Sequence, residues 1–355
     1  MMMDARYARQ MALPGWGSEG QRKLRHARVL VVGAGGLGSG VLVQLAASGV
    51  GTITVVDHDV VALGNLHRQT VYAESDIGIN KAEAACKHLL EMNSSIQVMP
   101  VPIRFDHHLA EGLLSSHDIV LDCTDDPATK LLIDEAAAVA GIPCVYAALF
   151  RFEGQVSVFH HSEQGERWSL RSVFPDYLQN SVADCALTGI AGPVASTIAS
   201  LQAMEAIKLI LGIGRPLIGQ LLCMDLLSGS HYLLQVPSEH VQVPVKRNDW
   251  NSFKARHADI VHDELELSPI GLDLSPYFLI DIREEYELTG PPVGLHLPMG
   301  EVMDNLSTLS TTRPLLLLCQ KGPRSAATAR MLRQQLKRND VFSLQGGCLQ
   351  LDQAR

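Results

Sequence analysis

The stretch Val29-Leu-Val-Val-Gly-Ala-Gly-Gly-Leu-Gly38 decides how the chain reads. Four apolar residues run into Gly33-x-Gly35-x-x-Gly38 and a helical pattern follows, so the glycines stand at the turn from a buried strand into a helix N-terminus. Glycine lets the backbone approach a ligand closely, and the unpaired N–H groups of the first helical turn favour negative charge. The turn is therefore a place to hold phosphate. Val41 to Ala47 continues the helix, Gly49 can end it, and Gly51-Thr-Ile-Thr-Val-Val56 is a second buried strand ending at Asp57, which completes a β-α-β unit. An acidic residue about 20 positions beyond the glycines is where a ribose hydroxyl pair is gripped. Asp57 fits that position, and by itself this pattern favours a dinucleotide dehydrogenase.

The next stretch points elsewhere. Asp59 is followed by Leu63-Gly-Asn65-Leu-His-Arg68-Gln69 and by Gly78-Ile-Asn-Lys81 at the start of another helix. Cationic groups near a phosphate chain suit phosphoryl or nucleotidyl chemistry, where the charge on departing pyrophosphate must be neutralised; hydride transfer has no such need. Ile96 to Val101 and Ile119-Val-Leu121 supply further strands, the latter ending in Asp122-Cys-Thr-Asp125-Asp126. Carboxylates there could coordinate Mg²⁺ through oxygen or cap the helix that starts at Pro127. Residues 4 to 28, with Arg6, Arg9, Gln10 and the break Pro14-Gly-Trp-Gly17, read as a polar helix-forming lead-in, as easily a solvated arm as a packed one.

Composition bounds the alternatives. At 355 residues the chain suits two domains. No apolar run approaches the roughly 18 residues of a membrane span, and the start lacks the apolar stretch of a secretory signal, so a cytoplasmic protein is expected. A net charge of −9 without a basic cluster argues against nucleic-acid or anionic-membrane binding. The seven cysteines include no C-x-x-C pair, which argues against a disulfide framework. Cys86, Cys123, Cys144 and Cys223 lie in helical or strand-like runs and read as buried apolar residues.

Arg6-x-x-Arg9-Gln10, Gly33-x-Gly35-Gly36-Leu-Gly38, Asp57-x-Asp59, Asn65-Leu-x-Arg68-Gln69, Gly78-x-x-Lys81 and Asp122-Cys-Thr-Asp125 stand in the order found in the MoeB/ThiF family. Gly154-Gln-Val-Ser-Val158 and Leu201-Gln-Ala-Met-Glu-Ala-Ile-Lys208 extend the match. The chain resembles these ubiquitin-activating-enzyme-like proteins over about residues 4 to 236. The resemblance implies a Rossmann-like α/β fold and ATP-dependent adenylation of the C-terminal glycine of a ubiquitin-like sulfur carrier ending in Gly-Gly. It implies that Asp57 takes the ribose, that Arg68 and Lys81 take the phosphates and that Asp125 holds the bridging Mg²⁺. It also implies a homodimer, in which Arg9 reaches the neighbouring subunit's nucleotide site.

Cys185 falls in a polar loop that precedes Gly189-Ile-Ala-Gly-Pro193. Relatives often carry a cysteine on this crossover loop, where it joins the carrier's C-terminus or takes part in sulfur transfer, and a thiolate is better supported in a polar loop than in a strand. The chain also departs from the family. Where most members hold a structural Zn²⁺ on two C-x-x-C pairs, this one has Ser169-x-x-Ser172 and Trp250-x-x-Phe253. Hydroxyls and aromatic rings do not make a tetrahedral zinc site, so no structural zinc is expected and apolar packing is expected in its place.

Residues 237–275, rich in Pro, Ser, His and mixed charges, read as a linker. A smaller α/β pattern follows: strands at Phe278-Leu-Ile-Asp281, Leu315 to Cys319 and Val341 to Leu344, and an amphipathic helix from Ser325 to Gln335. Cys319-Gln-Lys-Gly-Pro-Arg324-Ser325 places a cysteine where backbone N–H groups converge at a helix start, an environment that stabilises a thiolate or persulfide anion, with Arg324 adding positive charge. The segment resembles the active loop of rhodanese domains, C-x-x-G-x-R-S, and Asp281-Ile-Arg283-Glu284-x-x-Glu287 resembles their Asp-x-Arg-Glu signature. Gly290 to Gly300 looks trimmed relative to that family.

The expectation is an adenylating domain over 1–236, a linker over 237–275 and a rhodanese-like sulfurtransferase domain over 276–355. Sulfur from a persulfide donor such as a cysteine desulfurase would load Cys319, and Cys185 would resolve the acyl-disulfide formed with the carrier. The competing readings are adenylation of another peptide or small-molecule carboxylate without sulfur transfer, a nucleotide-binding scaffold without activity, and a dehydrogenase.

Overall fold

Alternating apolar strands and helices predict a mostly parallel sheet covered on both faces, and the computed structural model has that arrangement. It describes residues 2–161, 167–175, 189–237, 247–257, 265–267, 272–288, 290–320, 322–344, 346–348 and 351. The chain divides into two compact units, the first made of residues 1–181 and 190–258, the second centred on 259–355.

In the first unit, helices α1 (Met2–Met11) and α2 (Gly17–His26) precede β1 (Arg28–Val32), α3 (Gly36–Ser48) and β2 (Thr52–Val56). Then come α4 (Lys81–Met92), β3 (Gln97–Val101), α5 (His107–Leu114), β4 (Ile119–Asp122), α6 (Pro127–Ala140), β5 (Cys144–Phe150) and β6 (Glu153–Phe159). A short α7 (Leu170–Val173), α8 (Gly192–Leu211), β7 (Gln220–Asp225), β8 (Ser230–Gln235) and α9 (Trp250–His257) complete the unit. The sheet order is β3-β2-β1-β4-β5-β6-β7-β8. It is parallel from β3 through β5 and antiparallel from β5 to β8.

Because β1 lies between β2 and β4, the crossover helices diverge at its carboxyl end, which is where open α/β sheets bind ligands. Gly33, Asp57 and the residues after Asp122 all sit at that edge. Helix α3 ends at Gly49 in the left-handed conformation, as the sequence requires. Helix α8 is by length and composition apolar enough to cross a membrane, but over half of it is buried inside this unit. Its Ile198, Ala199, Ala203 and Ala206 pack with Val29, Val31 and Leu42 in one core cluster.

The N-terminal lead-in is a packed element. Tyr7, Trp16 and Leu24 are buried. Asn93 donates to the Tyr7 hydroxyl at 2.8 Å and Arg6 donates to Met92 O at 3.1 Å, which fixes α1 against the end of α4. A polar composition concealed this, since only one face of each short helix is apolar.

The four cysteines expected to be interior, Cys86, Cys123, Cys144 and Cys223, are buried, and so are Cys319 and Cys348. Burial pushes the Cys86 thiol up to about 12 and raises those of Cys123, Cys144 and Cys223.

The stretch read as a linker gives an element to each unit. Trp250 and Phe253 of α9 are buried in the second cluster of the first unit, with their rings edge-on at 5.5 Å. Opposite them, Ser169 and Ser172 hydrogen-bond to one another at 3.2 Å around α7, whose Leu170 belongs to the same cluster. Glu135 ties the two segments together: it accepts from His257 at 3.0 Å and lies 3.6 Å from Arg171.

The second unit is a parallel five-stranded sheet. Its strands are β9 (Glu266–Leu267), also from the stretch read as a linker, β10 (Phe278–Asp281), β11 (Leu295–His296), β12 (Leu315–Leu318) and β13 (Val341–Leu344). They lie in the order β11-β10-β12-β13-β9. Helix α10 (Pro323–Leu336) packs on β12 and β13. Leu315 and Leu317 face one apolar cluster and Leu316 and Leu318 the other, the two-sided burial of a central parallel strand.

Candidate functional sites

At the carboxyl edge of the first sheet, Gly33 has φ +93° and donates to Val56 O at 2.8 Å. A Cβ on Gly38 would stand 2.0 Å from Gly33 O, so the first glycine supplies conformation and the last supplies space. Asp57, at the end of β2, accepts from Ala34 N at 2.7 Å and Asp59 N at 2.8 Å, which aims it along the glycine turn. Burial raises its carboxyl above the ordinary value, opposed by Lys81 and assisted by Asp59.

Lys81 is buried at the start of α4, and its Nζ reaches Asp59 Oδ2 at 2.8 Å. Burial pushes Asp59 up, but Lys81, together with His58, brings its carboxyl below the ordinary range. Asn80 positions the pair. Its side-chain oxygen caps α4 by accepting from Ala82 N, and its amide nitrogen donates to the carbonyls of Asp57 and Asp59, each at 3.1 Å.

Arg68 lies across the turn, with its Cδ 3.7 Å from where a Cβ on Gly36 would stand. Its guanidinium donates to Gly64 O at 3.1 Å and Asn65 Oδ1 at 3.4 Å. Burial lowers its pKa and Asp125 opposes that shift. Asp125 is exposed, and among the described residues neither of its carboxylate oxygens is hydrogen-bonded.

The neighbouring acids are engaged elsewhere. Asp126 caps α6 through Thr129 N at 2.8 Å, and Asp122 is paired with buried Lys130 at 3.0 Å. Asp57, His58 and Asp59 offer ligand atoms within 4.8 Å of one another, yet Asp57 is engaged by backbone N–H groups and Asp59 by Lys81. Gln69 is buried beside Gly35, and its Oε1 has no hydrogen-bond partner among the described residues. An unsatisfied buried acceptor next to a phosphate turn is a place for a ligand donor.

The structure thus brings Gly33, Gly35, Gly36, Gly38, Asp57, Asp59, Asn65, Arg68, Gln69, Lys81 and Asp125 to one edge. Arg9, exposed on α1, is not joined to this cluster by any hydrogen bond or ion pair among the described residues. Cys185 lies outside the described residues. Sequence reasoning missed Asn80, Tyr72 and Lys130. Asn80 was detectable as a cap residue just before the helix, whereas nothing local marks Tyr72, whose hydroxyl donates to Ala34 O at 2.8 Å or Lys81 O at 3.2 Å.

In the second unit, Cys319 ends β12 and is buried. Gly322 N donates to its Sγ at 3.1 Å, and Ser325 Oγ lies 3.3 Å from it. Gly322 has φ +101°, and a Cβ there would stand 2.9 Å from Gly346 N, so this turn also needs glycine. Arg324 is gripped by both oxygens of Glu287, which raises the guanidinium pKa and lowers that of the carboxyl. The charge expected to act on Cys319 is therefore shared with Glu287. Asp281 and Arg283 form a buried two-bond pair at 2.9 and 2.6 Å that braces the end of β10.

The sequence profile of the ThiF family matches residues 7–245. Over 97% of its length the chain is 34% identical to a Mycobacterium tuberculosis protein named "Probable adenylyltransferase/sulfurtransferase MoeZ", of which 91% is covered. It is 31% identical to adenylyltransferase and sulfurtransferase MOCS3 of Drosophila grimshawi, covering 97% of this chain and 82% of that one. A sulfur carrier protein adenylyltransferase of Thermus thermophilus is 43% identical over 65% of this chain and 86% of its own. Among solved structures, E. coli MccB with ATP superposes with a TM-score of 0.56 at 24% identity, covering 65% of this chain and 71% of that one, which shows a shared fold.

Proposed function

The chain belongs to the ThiF family, and from that premise we propose that it is an adenylyltransferase and sulfurtransferase. It adenylates the C-terminal glycine of a ubiquitin-like sulfur carrier with ATP and converts the product to a thiocarboxylate. The observation that favours sulfur transfer over simple carboxylate activation is the Cys319 turn, with a backbone N–H and a hydroxyl within bonding distance of Sγ. A dehydrogenase or a plain acyl-adenylate-forming enzyme has no use for it.

In this reading the triphosphate lies along the glycine turn, Asp57 takes the ribose hydroxyls, and Gln69 Oε1 receives a donor from the nucleotide. Arg68 and Lys81 neutralise phosphate charge. Mg²⁺ held by Asp125 would supply further charge neutralisation. The carrier carboxylate attacks the α-phosphorus in line, giving acyl-adenylate and pyrophosphate, a step that needs positioning and charge compensation more than covalent help. The terminal sulfur of a Cys319 persulfide then attacks the acyl carbon and releases AMP, leaving an acyl-disulfide. A second thiolate, assigned to Cys185, attacks the Cys319 sulfur, releases the thiocarboxylate and leaves a disulfide for a cellular thiol to reduce. A cysteine desulfurase is the matching class of persulfide donor.

The enzyme works as a homodimer in the cytoplasm, with Arg9 completing the partner's nucleotide site. At the zinc position, the aromatic pair Trp250 and Phe253 and the Glu135 ion pairs provide the cross-link.

ATP–pyrophosphate exchange with candidate carriers ending in Gly-Gly is the direct test. Exchange should require the terminal glycine. Its absence with every such protein of the source genome would remove the activating role.

A further inference from the structure

Strand β13 is apolar except for Ser343, which is fully buried beneath α10. A buried hydroxyl is costly unless it is hydrogen-bonded, and this one donates to Ser325 Oγ at 2.8 Å. Ser325 in turn has one proton and two acceptors within reach, Gly322 O at 2.7 Å and Cys319 Sγ at 3.3 Å. A hydroxyl cannot donate to both at full strength. Ser343 therefore settles one question for Ser325: with its oxygen already accepting from Ser343, the remaining proton is directed into the Cys319–Gly322 turn.

We propose that Ser343 is a positioning residue for Cys319, holding Ser325 so that its proton rests on Gly322 O beside the neutral thiol and turns to sulfur when the sulfur becomes anionic. The inference rests on Cys319 being the persulfide-bearing cysteine. The sulfur then has two donors, Gly322 N–H and the Ser325 hydroxyl, while Arg324 stays paired with Glu287. Without Ser343 the Ser325 hydroxyl gains a free direction of rotation, and the anion loses a prearranged donor.

The test uses the full chain as parent, Ser343→Ala, Ser325→Ala, the double variant and Ser343→Thr. The rate of iodoacetamide alkylation of the Cys319 peptide is followed by mass spectrometry across pH, with melting midpoints recorded alongside. Ser343→Ala should slow alkylation about threefold at neutral pH and move the profile to higher pH, the effect of weakening one neutral hydrogen bond. Ser343→Thr keeps the donor and should return the parent rate. In the Ser325→Ala background, loss of Ser343 should change nothing further. A Ser343→Ala profile identical to the parent's, a double variant slower by the product of the two single effects, or a Ser343→Thr protein that melts like the parent but alkylates like Ser343→Ala would each overturn the assignment. Separately, incubation of the parent with thiosulfate should transfer its outer sulfur to Cys319, with cleavage of the S–S bond and release of sulfite. A parent that takes up none would refute the persulfide reading, while the alkylation series would still judge Ser343.

Discussion

Replacing Lys81 with methionine removes a buried cation and keeps its aliphatic volume. The Lys81 side chain is 7% exposed and its partner Asp59 is 52% exposed. An exposed ion pair contributes about 0.2–1 kcal/mol and breaking a buried one costs about 3–5 kcal/mol, so this half-buried pair should cost about 1–2 kcal/mol of stability. Asp57 and Asp59 would then repel one another without compensation, and both carboxyls should shift upward. The effect on chemistry should be larger, because phosphate charge that develops as pyrophosphate departs loses a fixed cation. Removal of one such group costs roughly 100- to 1,000-fold, or about 2.7–4 kcal/mol. The assay is carrier-dependent ATP–pyrophosphate exchange at saturating ATP, with chemical denaturation of the same preparation. Exchange within tenfold of the parent would refute the assignment of Lys81 to the phosphates. So would a stability loss large enough to account for the whole decline.

Phe253→Ala should destabilise the first unit by about 3–5 kcal/mol in denaturant titration, because the ring is wholly buried against Trp250; chelators should leave the parent midpoint unchanged, and a chelator-induced drop would mean that metal still braces this corner. Cys319→Ser should abolish thiocarboxylate formation while leaving pyrophosphate exchange at the parent rate; thiocarboxylate from that variant would place the sulfur chemistry on another residue. Mixing inactive Arg9→Ala and Lys81→Met proteins should restore exchange through hybrid dimers with one intact site, and no recovery after subunit mixing is verified would contradict the shared site.

Glu135 gives a pH prediction. Burial raises its carboxyl, but His257, Arg171 and Arg256 together hold it below the ordinary 4.5. A carboxyl lowered by folding contributes stability above its unfolded value, and that contribution is lost as pH falls through the folded value. Attachment of α9 should therefore hold above pH 4.5 and weaken below it, read by tryptophan fluorescence against a Glu135→Gln control. Equal acid sensitivity in both proteins would show that Glu135 is not the group responsible.

The nucleotide edge was legible because local rules write most of it. A glycine turn, an acid at a strand end, and a lysine at the start of a helix are consequences of backbone geometry that survive in one dimension. The orphaned amide oxygen of Gln69, the Tyr72 bridge and the pairing of Asp122 with Lys130 depend on which strands become neighbours, and no local pattern announces that. The same limit explains the linker reading. Trp250, Phe253 and Glu266–Leu267 lie among polar residues, and each finds its place only against a surface supplied by distant chain. The sequence places Arg324 in the turn that follows Cys319, but nothing local announces Glu287, 37 residues earlier, which pairs with its guanidinium.

The interior thiols have a bearing on sulfur handling. A protein that carries labile sulfur risks scrambling, since any ionised cysteine can intercept a persulfide or an acyl-disulfide. Cys86, Cys123, Cys144 and Cys223 are kept in their protonated, unreactive form by burial. Their packing makes them bystanders, so thiol chemistry is confined to a few positions although cysteines run through the whole chain.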